Sequence, residues 1–381
     1  MASPPIIEHR PRGFASVKNH PLSGITLPQW FRLLREHGSG VEWLRYAPRL
    51  VFLTLMACLN TIGAACDTLF YGRVIATQEL NDEPVFILGH PRTGTTHLHN
   101  LLSKDPRFAH ATTFSVGFPS GFLCMRRLAP YLGLIMDAKR PMDNMALAWN
   151  TPQEDEIAVN QLSAGASPYM PLCFPRREAS FRKFYDFRDA DEADLTRWKD
   201  AFMYFLKKTQ FAAGGSHKRL LLKSPVHTAR VRILREMFPK AQFVFIHRHP
   251  LEVFQSAAHM ADAYYWQCHL QKPTLQDTQE FILHQGELLH EAYTRDVAEV
   301  APERKTEVRF ERLNADPVGT LERVYASLGW GKAFDGVRPV VERYRDSLAD
   351  FKMNQHARVS PLAEKVVRER WHAWFRDFGY E

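Results

Sequence analysis

The stretch Pro84-Val-Phe-Ile-Leu-Gly89-His-Pro-Arg-Thr-Gly94-Thr-Thr96 decides the fold. Its four consecutive apolar residues ended by glycine predict a short strand buried on both faces, as inside a parallel sheet. The glycine-bounded turn then opens a helical pattern with Leu98, Leu101 and Leu102 on one face. Strand, glycine turn and helix in that order aim backbone N–H groups at one concavity. Such a concavity favours a phosphate or sulfate by about 1 kcal/mol or more. In this P-loop-like element Gly94 lets the backbone approach the anion, and Thr95 and Thr96 add hydroxyl donors. The spacing is close to GxxxxGK[ST], but Thr95 stands where the lysine belongs. A nucleotide triphosphatase needs that lysine on the β/γ-phosphates, so the ATP machinery is incomplete. The cation inside the turn is Arg92.

Moving outward, three further apolar runs predict strands: Arg219–Lys223, Ala241–His247 and Lys305–Phe310. Helical patterns at Val226–Phe238, Leu251–Met260, Leu275–Val297 and Pro317–Leu328 alternate with them, as βαβ crossovers require. The expected fold is α/β: a three-layer parallel sheet with N- and C-terminal helical extensions. Residues 1–26 read as an extended arm, 27–83 as a helical region packed on the core, 84–330 as the catalytic α/β domain, and 331–381 as a C-terminal helical extension. Helices are expected at Leu27–His37, Arg45–Thr77 and Asp191–Phe211.

Ligands of open α/β sheets bind at the carboxyl ends of the strands. There the second strand ends in Lys223-Ser-Pro-Val-His227 and the third in Arg248-His-Pro, with Ser256 eight residues after Arg248. Arg92, Lys223 and Arg248 thus stand at three strand ends, a set suited to a ligand with more than one phosphate group.

Pro91-Arg-Thr-Gly-Thr-Thr96 and Arg248…Ser256, in this order and each after an apolar strand, resemble the two nucleotide-binding motifs of the sulfotransferases that use 3′-phosphoadenosine 5′-phosphosulfate (PAPS). Phe310-Glu-Arg-Leu313 is similar to a later strand-end segment of that family. The resemblance implies that Arg92, Thr93, Gly94, Thr95 and Thr96 hold the 5′-phosphosulfate, and that Arg248 and Ser256 hold the 3′-phosphate. It implies an enzyme moving a sulfuryl group from PAPS, by in-line displacement, to a hydroxyl of a small, lipid-like or sugar acceptor. Arg92 and Lys223 are then the catalytic cations, because diffuse negative charge in such a transfer is stabilised by fixed positive donors. The alternatives are a P-loop kinase or ATPase-like phosphotransferase, and a non-catalytic nucleotide-binding protein of the membrane surface.

Proton removal from the acceptor has two candidate sources. His227 is near the right strand end, and imidazoles titrate close to neutrality; a helix beginning at Val226 would instead set it as a cap. Glu154 and Glu156 follow Thr151-Pro152, which reads as an N-cap and first helical residue, so the acids fall in a first helical turn. The remaining histidines lack metal-ligand spacing, HExxH and GxSxG are absent, and no metal is expected.

Composition limits the rest. The 381 residues are 45% hydrophobic and 24% charged, which excludes disorder, collagen and disulfide scaffolds as the main state. The net charge of +7 is spread thinly and names no partner, and a nucleic-acid partner is not expected. Five scattered cysteines read as reduced thiols of a cytoplasmic protein. The most apolar stretch, Val51–Cys66, falls short of the roughly 20 residues a spanning helix needs. It is expected as a buried or interfacial helix, the one route to peripheral membrane contact. The oligomeric state is not readable.

Overall fold

The computed structural model describes residues 5–10, 12–131, 133, 136, 139–140, 142–143, 145–348 and 359–380. The chain divides into two compact units, neither continuous in sequence. Asn81–His110, Ser216–Ala257 and Leu283–Glu381 form one; Met1–Leu80, Ala111–Gly215 and Ala258–Ile282 form the other. This division cuts across the expected segments 27–83, 84–330 and 331–381. Residues 111–215 fold with the N-terminal helices, and the C-terminal helices fold with the sheet.

The sheet unit holds five strands: β1 (Val85–Leu88), β2 (Phe108–Ala109), β3 (Arg219–Lys223), β4 (Gln242–His247) and β5 (Lys305–Arg309). All pair in parallel, in the order β2-β3-β1-β4-β5. The edge strand β2 has only two residues, too short for a periodic signal. β1 is central, with Ile87 beside Lys223 on one flank and Leu88 beside Phe245 on the other. Chain order therefore reverses across β1, which opens the crevice at the strand carboxyl ends where α/β sheets take ligands.

Both faces of β1 are buried, and alternation assigns them. Val85 and Ile87 join Leu221, Val244, Ile246 and Val308 in one cluster with helices Thr95–Leu102, Pro317–Ser327 and Gly331–Asp346. Phe334, Val337 and Val341 of the expected C-terminal extension are part of that core. On the opposite face Phe86 stacks on Phe243, and Phe245 stacks on Tyr293 of helix Leu275–Val297 at 3.8 Å between ring centroids.

In the other unit the apolar stretch becomes a 31-residue helix, Ala47–Thr77. It is the one helix among the described residues long and apolar enough, by length and composition, to cross a membrane. One face is nonetheless fixed inside the unit by polar side chains. Arg49 donates to the carbonyls of Ser16, Gly13, Trp266 and His269, and Asn60 to those of Ser23 and Ile25. Asp67 accepts from the Leu123 and Cys124 amides and pairs with Lys208 at 2.8 Å, both side chains fully buried. Burial also pulls the Lys208 ammonium below its usual pKa, against the pull of Asp67.

Removing one partner of such a pair strands the other charge. Asp67→Ala is expected to cost about 3–5 kcal/mol of unfolding free energy. The double variant Asp67→Leu/Lys208→Met should recover most of that loss. Denaturant unfolding of the three proteins checks it, and equal destabilisation of single and double variants would refute it.

Candidate active site at the strand ends

The turn after β1 is held open by its backbone. Gly89 has φ +146° and Gly94 φ +97°, conformations that side chains resist. A Cβ on Gly94 would sit 2.4 Å from the Phe310 ring, and one on Gly89 2.5 Å from the Ile246 carbonyl. Thr93 closes the turn by donating its hydroxyl to the His90 carbonyl at 2.8 Å. Thr228 fastens the turn's base: its hydroxyl accepts from the Gly89 amide at 2.8 Å and donates to the Gly89 carbonyl at 3.2 Å. Gly94 is the N-cap of helix Thr95–Leu102, and no side chain caps that helix start. Its first amides and the positive end of its dipole thus point into the turn.

Cations converge on the same place. Arg92 is itself at φ +76°, an unusual conformation for a residue with a side chain, and its Nε donates to Ser256 Oγ at 3.0 Å. Ser256 lies on the second turn of helix Pro250–Tyr264, as its distance from Arg248 implied. Arg248 donates to the Arg92 carbonyl at 3.4 Å, lies over the Phe310 ring at 4.5 Å, and pairs with Glu252 at 2.8 Å. From β3, buried Lys223 donates to Thr96 Oγ1 at 3.3 Å. The ammonium absent from the loop sequence at Thr95 is therefore delivered from the neighbouring strand. Arg92, Thr93, Gly94, Thr95, Thr96, Lys223, Arg248 and Ser256 all belong to the sheet unit.

Of the three candidate bases, His227 is fully buried in the same unit, on a 3-10 turn, Pro225–Arg230, and not on an α-helix from Val226. Its ring meets Phe86 edge-on at 5.6 Å. Glu154 and Glu156 belong to the helical unit. Their helix starts later than Thr151-Pro152 suggested, running Asp155–Leu162 with Glu154 as N-cap. Residues 151–153 are extended instead: Pro152 bridges Thr112, and the Gln153 amide donates to the Ala111 carbonyl. Glu154 is half-buried and accepts the Tyr169 hydroxyl at 2.5 Å. Glu156 is fully buried, with its oxygens taking Ser167 Oγ at 2.7 Å and Trp198 Nε1 at 3.3 Å. That is the setting of a structural carboxylate.

Residues 84–333 match the model of the sulfotransferase family. The chain belongs to that family. Along 358 residues the sulfotransferase is 32% identical to omega-hydroxy-beta-dihydromenaquinone-9 sulfotransferase Stf3 of Mycobacterium bovis and of Mycobacterium tuberculosis. The match covers 94% of this chain and 90% of each relative. Its fold is similar to crystal structures of sulfotransferase STF1 from Mycobacterium tuberculosis H37Rv (TM-score 0.63, 17% identity, 91% of each chain) and STF9 from Mycobacterium avium (TM-score 0.61, 15% identity, 95% of this chain and 88% of that one).

Several residues of the candidate site were not singled out by sequence. Thr228 had no local signal, because its partner Gly89 lies 139 residues away. His99, fully buried on the loop helix, is held well below its usual pKa by burial and then by the charge of Lys223. It therefore stays neutral beside that ammonium. The Arg248–Glu252 pair has i,i+4 helical spacing, which was available in the sequence. Among the described residues no group of three or more His, Cys, Asp or Glu side chains is arranged to hold a metal ion.

Proposed function

We propose that the enzyme moves a sulfuryl group from PAPS to a hydroxyl of a lipid-like acceptor. The observation that carries the donor assignment is the meeting of Arg92, Ser256, Arg248 and Lys223 around one uncapped helix start. The turn suits an anionic donor, since its helix start is left uncapped and Gly89 and Gly94 hold the positive-φ conformation that keeps it open. PAPS, when bound, supplies the sulfuryl group and a phosphate leaving group. Arg92 stays charged at every working pH and donates bidentately, so it holds the transferring oxygens as a fixed charge. Lys223, aligned by Thr96, neutralises charge that develops on the leaving group. Arg248 and Ser256 bind the 3′-phosphate. The lipid-like acceptor is supported by the omega-hydroxy-beta-dihydromenaquinone-9 sulfotransferase that is 32% identical along nearly the whole chain.

Calorimetry with 3′-phosphoadenosine 5′-phosphate, ATP and 5′-AMP tests the donor. The bisphosphate is expected to bind at least about tenfold more tightly than either, and Arg248→Ala to weaken it about 10- to 100-fold through loss of charge-assisted hydrogen bonds. Equal binding of all three ligands would sink the assignment. Transfer of labelled sulfate to an ω-hydroxylated isoprenoid, compared with a sugar, tests the acceptor.

Glu154 and His227 are the two proposed bases: the half-buried Glu154 carboxylate accepts the Tyr169 hydroxyl in the helical unit, and His227 is packed edge-on against Phe86 in the sheet unit. Substitution of the true base, by Glu154→Gln or His227→Ala, is expected to lower kcat about 100-fold or more and to abolish the acidic limb of the pH–rate profile. The other variant should stay within about tenfold of the parent. With Glu154 as the base, Tyr169→Phe removes a donor to the charged carboxylate, so the acidic limb should move to higher pH. A Glu154→Gln enzyme with near-normal turnover would assign the role to His227.

A further inference from the structure

We propose that the exposed face of helix Ala47–Thr77 rests in the surface of an anionic lipid bilayer, holding the enzyme on the membrane. The assignment is independent of the catalytic reading, since it uses only the helical unit. Along this helix Val51, Leu55, Ile62 and Leu69 are between 60% and 79% exposed. Their spacing of four, seven and seven residues puts them on one line, with exposed Cys58 between Leu55 and Ile62. At 1.5 Å per residue the line from Val51 to Leu69 is about 27 Å long. No acidic residue stands on it.

The patch widens at its start. Trp43 and Leu44, the latter 96% exposed, project from the turn that leads into the helix. Exposed Phe31 belongs to helix Leu27–His37, which runs beside it: Trp30 donates to Thr54 Oγ1 at 3.0 Å and the Leu27 amide to Thr61 Oγ1 at 2.9 Å. A row of exposed large apolar side chains of this length calls for a partner.

Three features choose a bilayer over a protein. The first is charge: exposed Arg73 continues the line one turn after Leu69, and exposed Arg35 follows Phe31 by one turn. Of the carboxylates nearby in sequence, Glu42 pairs with Arg45 and Arg176 and Glu36 with Arg32 and Arg197, while exposed Glu79 lies beyond the helix end. The patch therefore carries arginines at its margins, complementary to anionic headgroups. The second is shape: a protruding Trp43-Leu44 tip enters fluid hydrocarbon without a matching hollow, which a protein partner would have to supply. The third is orientation. The opposite face carries Arg49, Asn60 and Asp67, all bonded within the unit, so only one side is open to lipid and the helix lies in the surface plane.

Flotation of the full chain with vesicles of phosphatidylcholine plus phosphatidylglycerol, against phosphatidylcholine alone, tests this. Binding is expected to be stronger to the mixed vesicles. Leu55→Glu/Ile62→Glu should lower the partition coefficient at least about tenfold, with an unchanged thermal midpoint, because both positions face solvent. Arg73→Glu should weaken binding to the mixed vesicles alone. As a second readout, an environment-sensitive fluorophore on Cys58, in a Cys66→Ser/Cys124→Ser background, should shift to the blue when vesicles are added. Failure of the full chain to float, or equal flotation of the double variant, overturns the proposal. So does a dimer in solution that Leu55→Glu/Ile62→Glu dissociates without any vesicle binding, which would give the face to a second copy of the chain.

Discussion

Replacing Arg92 with glycine is expected to lower kcat/KM for sulfuryl transfer about 100- to 1000-fold, the effect of removing one preorganised donor from a transition-state charge. Arg92 is held by the protein's own contacts: its Nε is on Ser256 Oγ, its carbonyl accepts Arg248, and its backbone is at φ +76°. The left-handed conformation costs a non-glycine residue about 1–2 kcal/mol, an outlier characteristic of functional turns. Glycine adopts it freely. The same substitution that removes the guanidinium should therefore leave the thermal midpoint unchanged or raise it. A purely structural arginine would show the opposite pattern, with activity and stability falling together. Arg92→Lys keeps the charge but loses the planar fork that serves ligand and Ser256 at once, so an intermediate loss of about tenfold is expected. Arg92→Gly enzyme retaining more than a tenth of parental kcat/KM would remove this residue from the charge-stabilising role.

The difference between what was readable in sequence and what was not follows the range of the interactions. β1 and its turn were readable because a short apolar run, two glycines and a following amphipathic helix are local. Ser256 was readable for the same reason, its place on the second helical turn following from its distance to Arg248. The pairing of Lys223 with Thr96 depends on the register that sets Ile87 beside Lys223 across the sheet, and no local pattern encodes it. Thr151-Pro152 looked like a helix start because the residue types suit one. Pairing of residues 151–153 with Ala111 and Thr112 takes their backbone groups first, and the helix begins at Asp155. The assembly of units from separated stretches was hidden in the same way. Residues 334, 337 and 341 carry an ordinary amphipathic spacing, and nothing in that spacing says the surface they cover is the β-sheet core.

Acid should unfold the sheet unit well above the carboxylate range. His90, in the turn after β1, is buried against Trp371 and Trp374, and His247, at the end of β4, is stacked on Phe378 and bonded to Tyr380. Burial pushes each imidazole down to about 4, from an ordinary value of 6.5. Between those values the unfolded chain binds protons that the folded chain refuses, so stability falls as pH falls. Each histidine contributes a slope of up to about 1.4 kcal/mol per pH unit, and the two together about 3. His99, held well below its usual value on the adjoining helix, adds in the same direction. Against a total stability of about 5–15 kcal/mol, two pH units below 6.5 remove about 5 kcal/mol through these two rings alone. Urea unfolding at pH 7.5, 6.0 and 5.0 should show a steep loss. His247→Gln cannot titrate and should reduce the slope by roughly 1 kcal/mol per pH unit. A stability that stays level from pH 7.5 to 5.0 would mean that these rings are hydrated or charged in the folded protein, contrary to their packing.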